Sequence, residues 1–302
     1  MQNNYRRSGK NFKKPGRQNA GSNFIRKDKK ERRIISGGIK FKLYIEYEGT
    51  RYSGWQIQQN ARSIQGKILE AAEKVFKTRE IELYGSGRTD AGVHALCQVA
   101  HLEVNTMLAP EIIRMKLNDE LPADINILEV EKADPSFHAR HDAEYRSYIY
   151  QISKRRSAFA KPFVWWIKDR LNVEKMKNAA AHLAGMNDFA SFAERDEQEK
   201  STKVNLNEVV IAEEGDLIII KISGSHFLWK MVRRIVGVLV EVGRGNLTAD
   251  DVKRFLERFS EEPAKYTAPP SGLFLENIYY PGETRGDKTG AFIEVKSFKS
   301  IR

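Results

Sequence analysis

Between Gly85 and His94 the chain reads Gly-Ser-Gly-Arg-Thr-Asp-Ala-Gly-Val-His, which gathers glycines, an arginine, a carboxylate and an imidazole in one short segment. Glycines let a backbone come close to a ligand, and a loop of this kind between two strands presents its side chains to whatever binds there. A carboxylate such as Asp90 can serve as a nucleophile or a base, and an arginine beside it favours the ionised form that either role needs. The same residues also fit a turn capped by Asp90 and closed by a salt bridge to Arg88, and composition does not choose between the two.

Several familiar loops are excluded by spacing. No lysine follows the glycines as a P-loop requires, and Asp90 stands where the dinucleotide fingerprint needs its third glycine. Tyr84 and Arg88 occupy the glycine positions that a Gly-x-Ser-x-Gly nucleophile elbow would need around Ser86. A hydrolase built on Ser86, His94 and Asp90 is therefore an alternative without an oxyanion motif. A metal reading of His94, Cys97 and His101 meets a geometric objection. On one strand, Cys97 and His101 lie about 13 Å apart, too far to share an ion. No metal and no cofactor is expected.

The elements that must hold this loop follow from the hydropathy pattern. Phe41-Lys-Leu-Tyr-Ile-Glu-Tyr-Glu-Gly49 alternates and stops at a glycine, which predicts a strand. Ser63 can cap a helix whose apolar residues Ile64, Ile68, Leu69, Ala72, Val75 and Phe76 recur at helical spacing. Strands are predicted near 81–84, 98–104, 125–130, 145–152 and 274–280, with a hairpin formed by 204–212 and 217–223. Helices are predicted from Pro110, from Asn172, and over about 227–242 and 248–259. Strands and helices interspersed in both halves predict an α+β architecture, one continuous sheet backed by helices. In the helix from Phe227, Leu228, Met231, Val232, Ile235, Leu239 and Val242 share one arc. Lys230, Arg233, Arg234 and Gly237 lie opposite, which predicts an amphipathic helix with a basic face.

Charge is unevenly placed. Of the formal net charge of +11, residues 1–33 carry twelve Lys or Arg against Asp28 and Glu31. The remaining 269 residues hold 39 basic and 38 acidic side chains, so any basic groove there must come from arrangement. Residues 1–38 are polar, basic and without period, and are expected to be a disordered arm able to contact phosphates. No apolar run approaches the roughly 18 residues needed to span a bilayer, and residues 1–33 lack a secretory apolar segment, so a soluble, cytoplasmic protein is expected. The single cysteine excludes an intrachain disulfide and fits a reducing compartment.

Gly87-Arg-Thr-Asp-Ala-Gly-Val-His-Ala95 resembles the signature of the TruA-type tRNA pseudouridine synthases. Gly54-Trp-Gln56, Glu144-Tyr-Arg-Ser-Tyr148, Phe189-Ala-Ser-Phe192, Phe227-Leu-Trp-Lys-Met-Val-Arg233 and Ala268-Pro-Pro-Ser-Gly-Leu273 resemble further landmarks of that family, in order. Together these segments span about residues 39–280. The resemblance implies a pseudouridine synthase fold: two related α/β halves, 39–142 and 143–280, forming one mixed, largely antiparallel sheet with a cleft between them. The tail 281–302 and the arm 1–38 lie outside it.

It also implies a reaction, isomerisation of uridine to pseudouridine at positions 38, 39 and 40 of the tRNA anticodon arm. Asp90 would promote cleavage of the glycosidic bond, the base would turn in place, and C5 would rejoin C1′, with no cofactor. Arg88 would hold Asp90 and keep the site open to an extruded nucleotide. Tyr145 would stack on the uracil, Gly87 and Thr89 would line the substrate, Arg233 would face the active site, and Lys230 and Arg234 would face phosphate. A homodimer contacting one tRNA with both subunits is implied as well. The competing expectation from the residues alone is a non-catalytic RNA-binding protein with a basic arm.

Overall fold

The structure is a computed structural model that describes residues 35, 37–196, 201–283 and 290–292; the expected basic arm and most of the expected tail lie outside them. The first half contributes strand β1 (Ile39–Tyr47), helix α1 (Ile64–Phe76), β2 (Ile81–Gly85), β3 (His94–Val104), α2 (Pro110–Glu120) and β4 (Ile125–Lys132). Ser63 caps α1 by accepting from the Gly66 N–H, as the sequence predicts, and Lys77 ends it in the left-handed region. β3 begins at His94, four residues earlier than periodicity predicts, because Ala95 and Leu96 break the alternation without breaking the ladder to Tyr47.

The second half contributes β5 (Tyr145–Ser153), β6 (Trp165–Trp166), α3 (Val173–Ala180), β7 (Gly185–Asp188), β8 (Lys203–Glu214), β9 (Leu217–Gly224), α4 (Met231–Arg244), α5 (Ala249–Glu257), the single-turn α6 (Glu262–Lys265) and β10 (Leu273–Tyr279). The two shortest strands, β6 and β7, were not predicted; segments of two and four residues carry too little pattern to read.

The strands join in the order β4-β1-β3-β10-β5-β9-β8-β7, with β2 also paired to β3 and β6 to β5. The pairs β3–β10 and β5–β6 are parallel, and the other pairs are antiparallel. The last strand among the described residues, β10, thus fills the centre of the sheet and joins the two halves. Directly paired residues share a face. The row Tyr47 (β1), Ala95 (β3), Leu275 (β10), Tyr148 (β5) and Ile222 (β9) therefore runs across the helix-covered face. On the first-half side that face is buried by Ile64, Ile68 and Ala72 of α1 and Ile113 and Leu117 of α2. On the other it is buried by Met176 of α3, Ile235 and Leu239 of α4 and Phe255 of α5. Tyr148 packs against both groups, which puts it at their seam.

Helix α4 corrects an expectation. It starts at Met231 rather than near 227, after Lys230 turns the chain with φ 61°, and twelve of its fourteen residues are buried. The basic side of this helix is not a solvent face. A helix enclosed on nearly every side still accommodates Arg233 and Arg234, because each finds a carboxylate and a carbonyl there. Gly237 explains the tightest contact: a Cβ at that position would stand 1.5 Å from the Tyr266 carbonyl oxygen. The segment 266–268 can lie against the helix only because no side chain intervenes.

Candidate active site

The Asp90 loop leaves β2 at Gly85 and returns through β3 at His94. Its backbone is pinned along its length. The Ser86 N–H donates to the Val99 carbonyl at 2.8 Å, the Trp55 N–H to the Thr89 carbonyl at 3.1 Å, and the Gly92 N–H to the Tyr52 carbonyl at 3.2 Å. Gly54, at φ +92°, lets the 54–56 turn approach; a Cβ there would stand 2.4 Å from the Thr89 oxygen. Thr89 is buried, and its hydroxyl shares a 2.8 Å hydrogen bond with the Tyr47 phenol. With its hydroxyl tied to Tyr47, Thr89 anchors the loop that presents Asp90 instead of lining the substrate as expected. Gly87 is the opposite case. Nothing stands within 4 Å of a Cβ built on it, so the loop is open at that point.

Asp90 accepts from Arg233 Nη1 at 3.0 Å, with the two side chains 22% and 15% exposed. Arg233 is itself fixed by donation from Nε to the Ala268 carbonyl at 2.7 Å. Asp90 Oδ1 has no hydrogen-bond partner among the described residues, so one carboxylate oxygen is held and the other is left for chemistry. The expected Arg88–Asp90 pair is not formed. Arg88 is exposed and has no ion pair among the described residues; the arginine that holds Asp90 comes from the other half, 143 positions away. Local proximity in sequence gave way to a partner already oriented by a helix.

The two tyrosines of β5 are separated by the fold, and one further expectation, for Arg234, changes. Tyr145 and Tyr148 are three residues apart on β5, and odd separations point to opposite faces of a strand. Tyr148 stands on the helix-covered face, edge-on to Phe227 with ring centroids 4.9 Å apart. Burial pushes its phenol up to about 12, and the nearby negative charge of Asp90 pushes the same way. Tyr145 lies on the other face, with Ser147 and Ile149. Strand parity thus puts Tyr148, and not Tyr145, on the face that carries Phe227. Arg234, expected to face phosphate, is 7% exposed; it donates to Glu194 and to the Ala193 carbonyl. Lys230 also pairs with Glu194, at 3.3 Å.

The hydrolase alternative loses its parts to structure. Ser86 is buried and its hydroxyl donates to Gln98 Oε1 at 2.7 Å. His94 Nδ1 accepts from the Gly49 N–H at 3.0 Å, so the ring proton sits on Nε2 and is donated to the Pro162 carbonyl at 3.0 Å. Both nitrogens are committed to backbone, and neither is available to a nucleophile. His94, Cys97 and His101 all lie on β3, and His101 Nδ1 accepts from the Ala139 N–H. Burial pushes the Cys97 thiol up to about 11. Among the described residues no group of three or more His, Cys, Asp or Glu is placed to hold a metal ion.

His94 offers a stability test. Burial lowers its pKa from the ordinary 6.5 and outweighs the pull of Glu48, 3.8 Å away. An unfolded chain takes up a proton at this position below that ordinary value, whereas the folded chain resists it. The contribution to stability is complete above the unfolded pKa and is lost as pH falls toward the depressed folded one. Thermal melts over about pH 5.5 to 7.5 should therefore show a smaller loss of Tm on acidification for His94→Gln than for the unsubstituted protein. Equal losses would show that this imidazole is not held neutral.

Comparison with known proteins identifies the family. A family model described as tRNA pseudouridine synthase matches residues 43–142 and 179–281. The chain is 38% identical over 243 residues to tRNA pseudouridine synthase A 2 of Bacillus anthracis, covering 80% of this chain and 99% of that one. It is 40% identical over 242 residues to tRNA pseudouridine synthase A of Thermoanaerobacter sp. (strain X514), covering 79% and 98%. It is 43% identical over 244 residues to tRNA pseudouridine synthase A of Rhodopseudomonas palustris (strain BisA53), covering 80% and 99%. With the matched segments carrying both the Asp90 loop and the Arg233 helix, the chain belongs to the tRNA pseudouridine synthase family.

Proposed function

We propose that this chain, whose family isomerises uridine to pseudouridine in tRNA, acts on the anticodon arm at positions 38, 39 and 40, with Asp90 as the catalytic carboxylate. The observation that carries this is the Asp90–Arg233 pair. It is made between the two halves of the sheet at 3.0 Å and leaves one carboxylate oxygen free beside Tyr148. The C1′–N1 bond of uridine breaks, the base turns, C1′ bonds to C5, and the hydrogen at C5 is lost while N1 gains one. Nothing is oxidised and nothing but the C5 proton leaves, so a carboxylate, a cation and an aromatic wall are sufficient equipment.

Each side chain then has a part. Asp90 acts on the ribose of the extruded nucleotide, and Arg233 fixes the carboxylate and offsets its charge. Tyr148 takes the stacking part that the sequence assigned to Tyr145. Arg88, exposed at the open part of the loop by Gly87, meets the RNA rather than Asp90 and helps hold the nucleotide out of the stack. Lys230, at the rim, is the remaining residue of the basic set with access to phosphate. The active form is a homodimer that shares one tRNA, in the cytoplasm; none of the described helices is long and apolar enough to cross a membrane.

Incubation with unmodified tRNA, followed by mapping of pseudouridine, tests the substrate assignment. Conversion confined to positions 38, 39 and 40 is expected. Conversion elsewhere would overturn the site specificity, and binding without any conversion would favour the RNA-binding alternative.

A further inference from the structure

We propose that Arg146 is a positioning residue for the isomerisation, a clamp that sets the distance between the Asp90 loop and the segment delivering Phe227 and Arg233; this rests on the reading of Asp90 as catalytic. Its guanidinium donates from Nη1 to the carbonyls of Ala143, at 3.0 Å, and Ser225, at 2.7 Å. From Nη2 it donates to the carbonyls of Arg140, at 2.8 Å, and Ser86, at 3.4 Å. Four carbonyls from three separate loops thus converge on one planar fork.

The three loops are the ones that shape the site. Ser86 opens the Asp90 loop. Arg140 and Ala143 lead into β5, which carries Tyr148. Ser225 follows β9 and leads through Phe227, which packs on Tyr148, to Arg233. Arg146 shares the helix-covered face of β5 with Tyr148, because the two are separated by an even number of residues.

Charge makes the arrangement informative. Among the described residues Arg146 has no carboxylate partner, and its desolvation lowers its pKa. A buried cation normally finds an anion, and arginine used only against carbonyls gains geometry rather than neutralisation. The planar fork places its donors in fixed directions, which a lysine ammonium does not. A shift of about 1 Å between reacting groups can cost on the order of 100-fold in rate, so a clamp that fixes these loops acts on turnover before it acts on binding.

The test is kinetic, on the full chain with unmodified tRNA, and compares Arg146→Ala and Arg146→Lys with the unsubstituted protein. Both are expected to lower kcat at least about tenfold while KM changes by less than about threefold. Guanidinium ion added at non-denaturing concentration should restore part of kcat in Arg146→Ala and none in Arg146→Lys, where the cavity is filled. A raised KM with unchanged kcat would overturn the clamp and make Arg146 a ligand of RNA phosphate. Unchanged kinetics in both variants would also overturn it. If Arg146→Ala fails to fold, Arg146→Lys at unaltered Tm decides, and full activity there sinks the proposal. Asp90→Asn is run alongside. Activity retained in that variant would mean that the reading of Asp90 has failed, whatever Arg146 does.

Discussion

Asp90→Asn is expected to bind tRNA with near-normal affinity and to lose turnover by a factor on the order of 10⁴, the scale seen when a reacting side chain is removed from an enzyme. The asparagine keeps the shape of the side chain, and its amide oxygen can still accept from Arg233 Nη1, so the loop is not released. What it lacks is the negative charge and the second reactive oxygen. The backbone bonds to the carbonyls of Val99, Thr89 and Tyr52 that pin the loop involve no side-chain atom of residue 90, so Tm should move little. Near-normal Tm and tRNA affinity with turnover lost would place the defect in chemistry. Turnover within about tenfold of normal would remove Asp90 from the mechanism.

The second large effect separates two tyrosines on one strand. Tyr148→Ala is expected to lower kcat/KM by about 10- to 100-fold, the equivalent of losing one base–aromatic stack, with Tyr148→Phe retaining most of the activity. Tyr145→Ala should stay within about threefold, because its side chain points to the other face of the sheet. Steady-state kinetics on one tRNA preparation decides between them. A large loss in Tyr145→Ala at unaltered Tm, with Tyr148→Ala unaffected, would mean that the uracil lies on the opposite side of β5.

The contrast between these residues shows what the sequence makes legible. Spacing and composition picked out the Asp90 loop, because glycines concentrated around a carboxylate are unusual between two strands. They also placed α1 and its Ser63 cap, where local hydrogen bonding decides the outcome. Partners brought together by the sheet were not legible. Nothing local distinguishes Arg88 from Arg233 as the holder of Asp90, since the second becomes a neighbour only when β10 joins the halves and α4 packs on 266–268. Likewise, an amphipathic pattern could not reveal that Arg234 would be enclosed with Glu194, forty positions earlier. The sequence placed Arg233 at the site through its resemblance, and the geometry supplies a physical reason: Gly237 lets the chain near Ala268 come close, and the Ala268 carbonyl orients the guanidinium.

The choice between Tyr145 and Tyr148 has the same origin. The aromatic strand was identified correctly, but period two leaves both faces open until something is known to cover one of them. Phe227 shows which face is covered: it packs on Tyr148 at the seam of the two helical layers. In β6 and β7 the obstacle was length, and in α4 it was Lys230, which adopts a left-handed turn with no glycine to announce it.

Most directly, the central claim is tested by single-turnover reactions on tRNA tritiated at uracil C5. Formation of the C1′–C5 bond must expel that hydrogen, so one tritium should be released for each pseudouridine formed by the unsubstituted protein, with none from Asp90→Asn at equal tRNA occupancy. Release at an undiminished rate from Asp90→Asn, or free uracil in place of pseudouridine, would contradict the account.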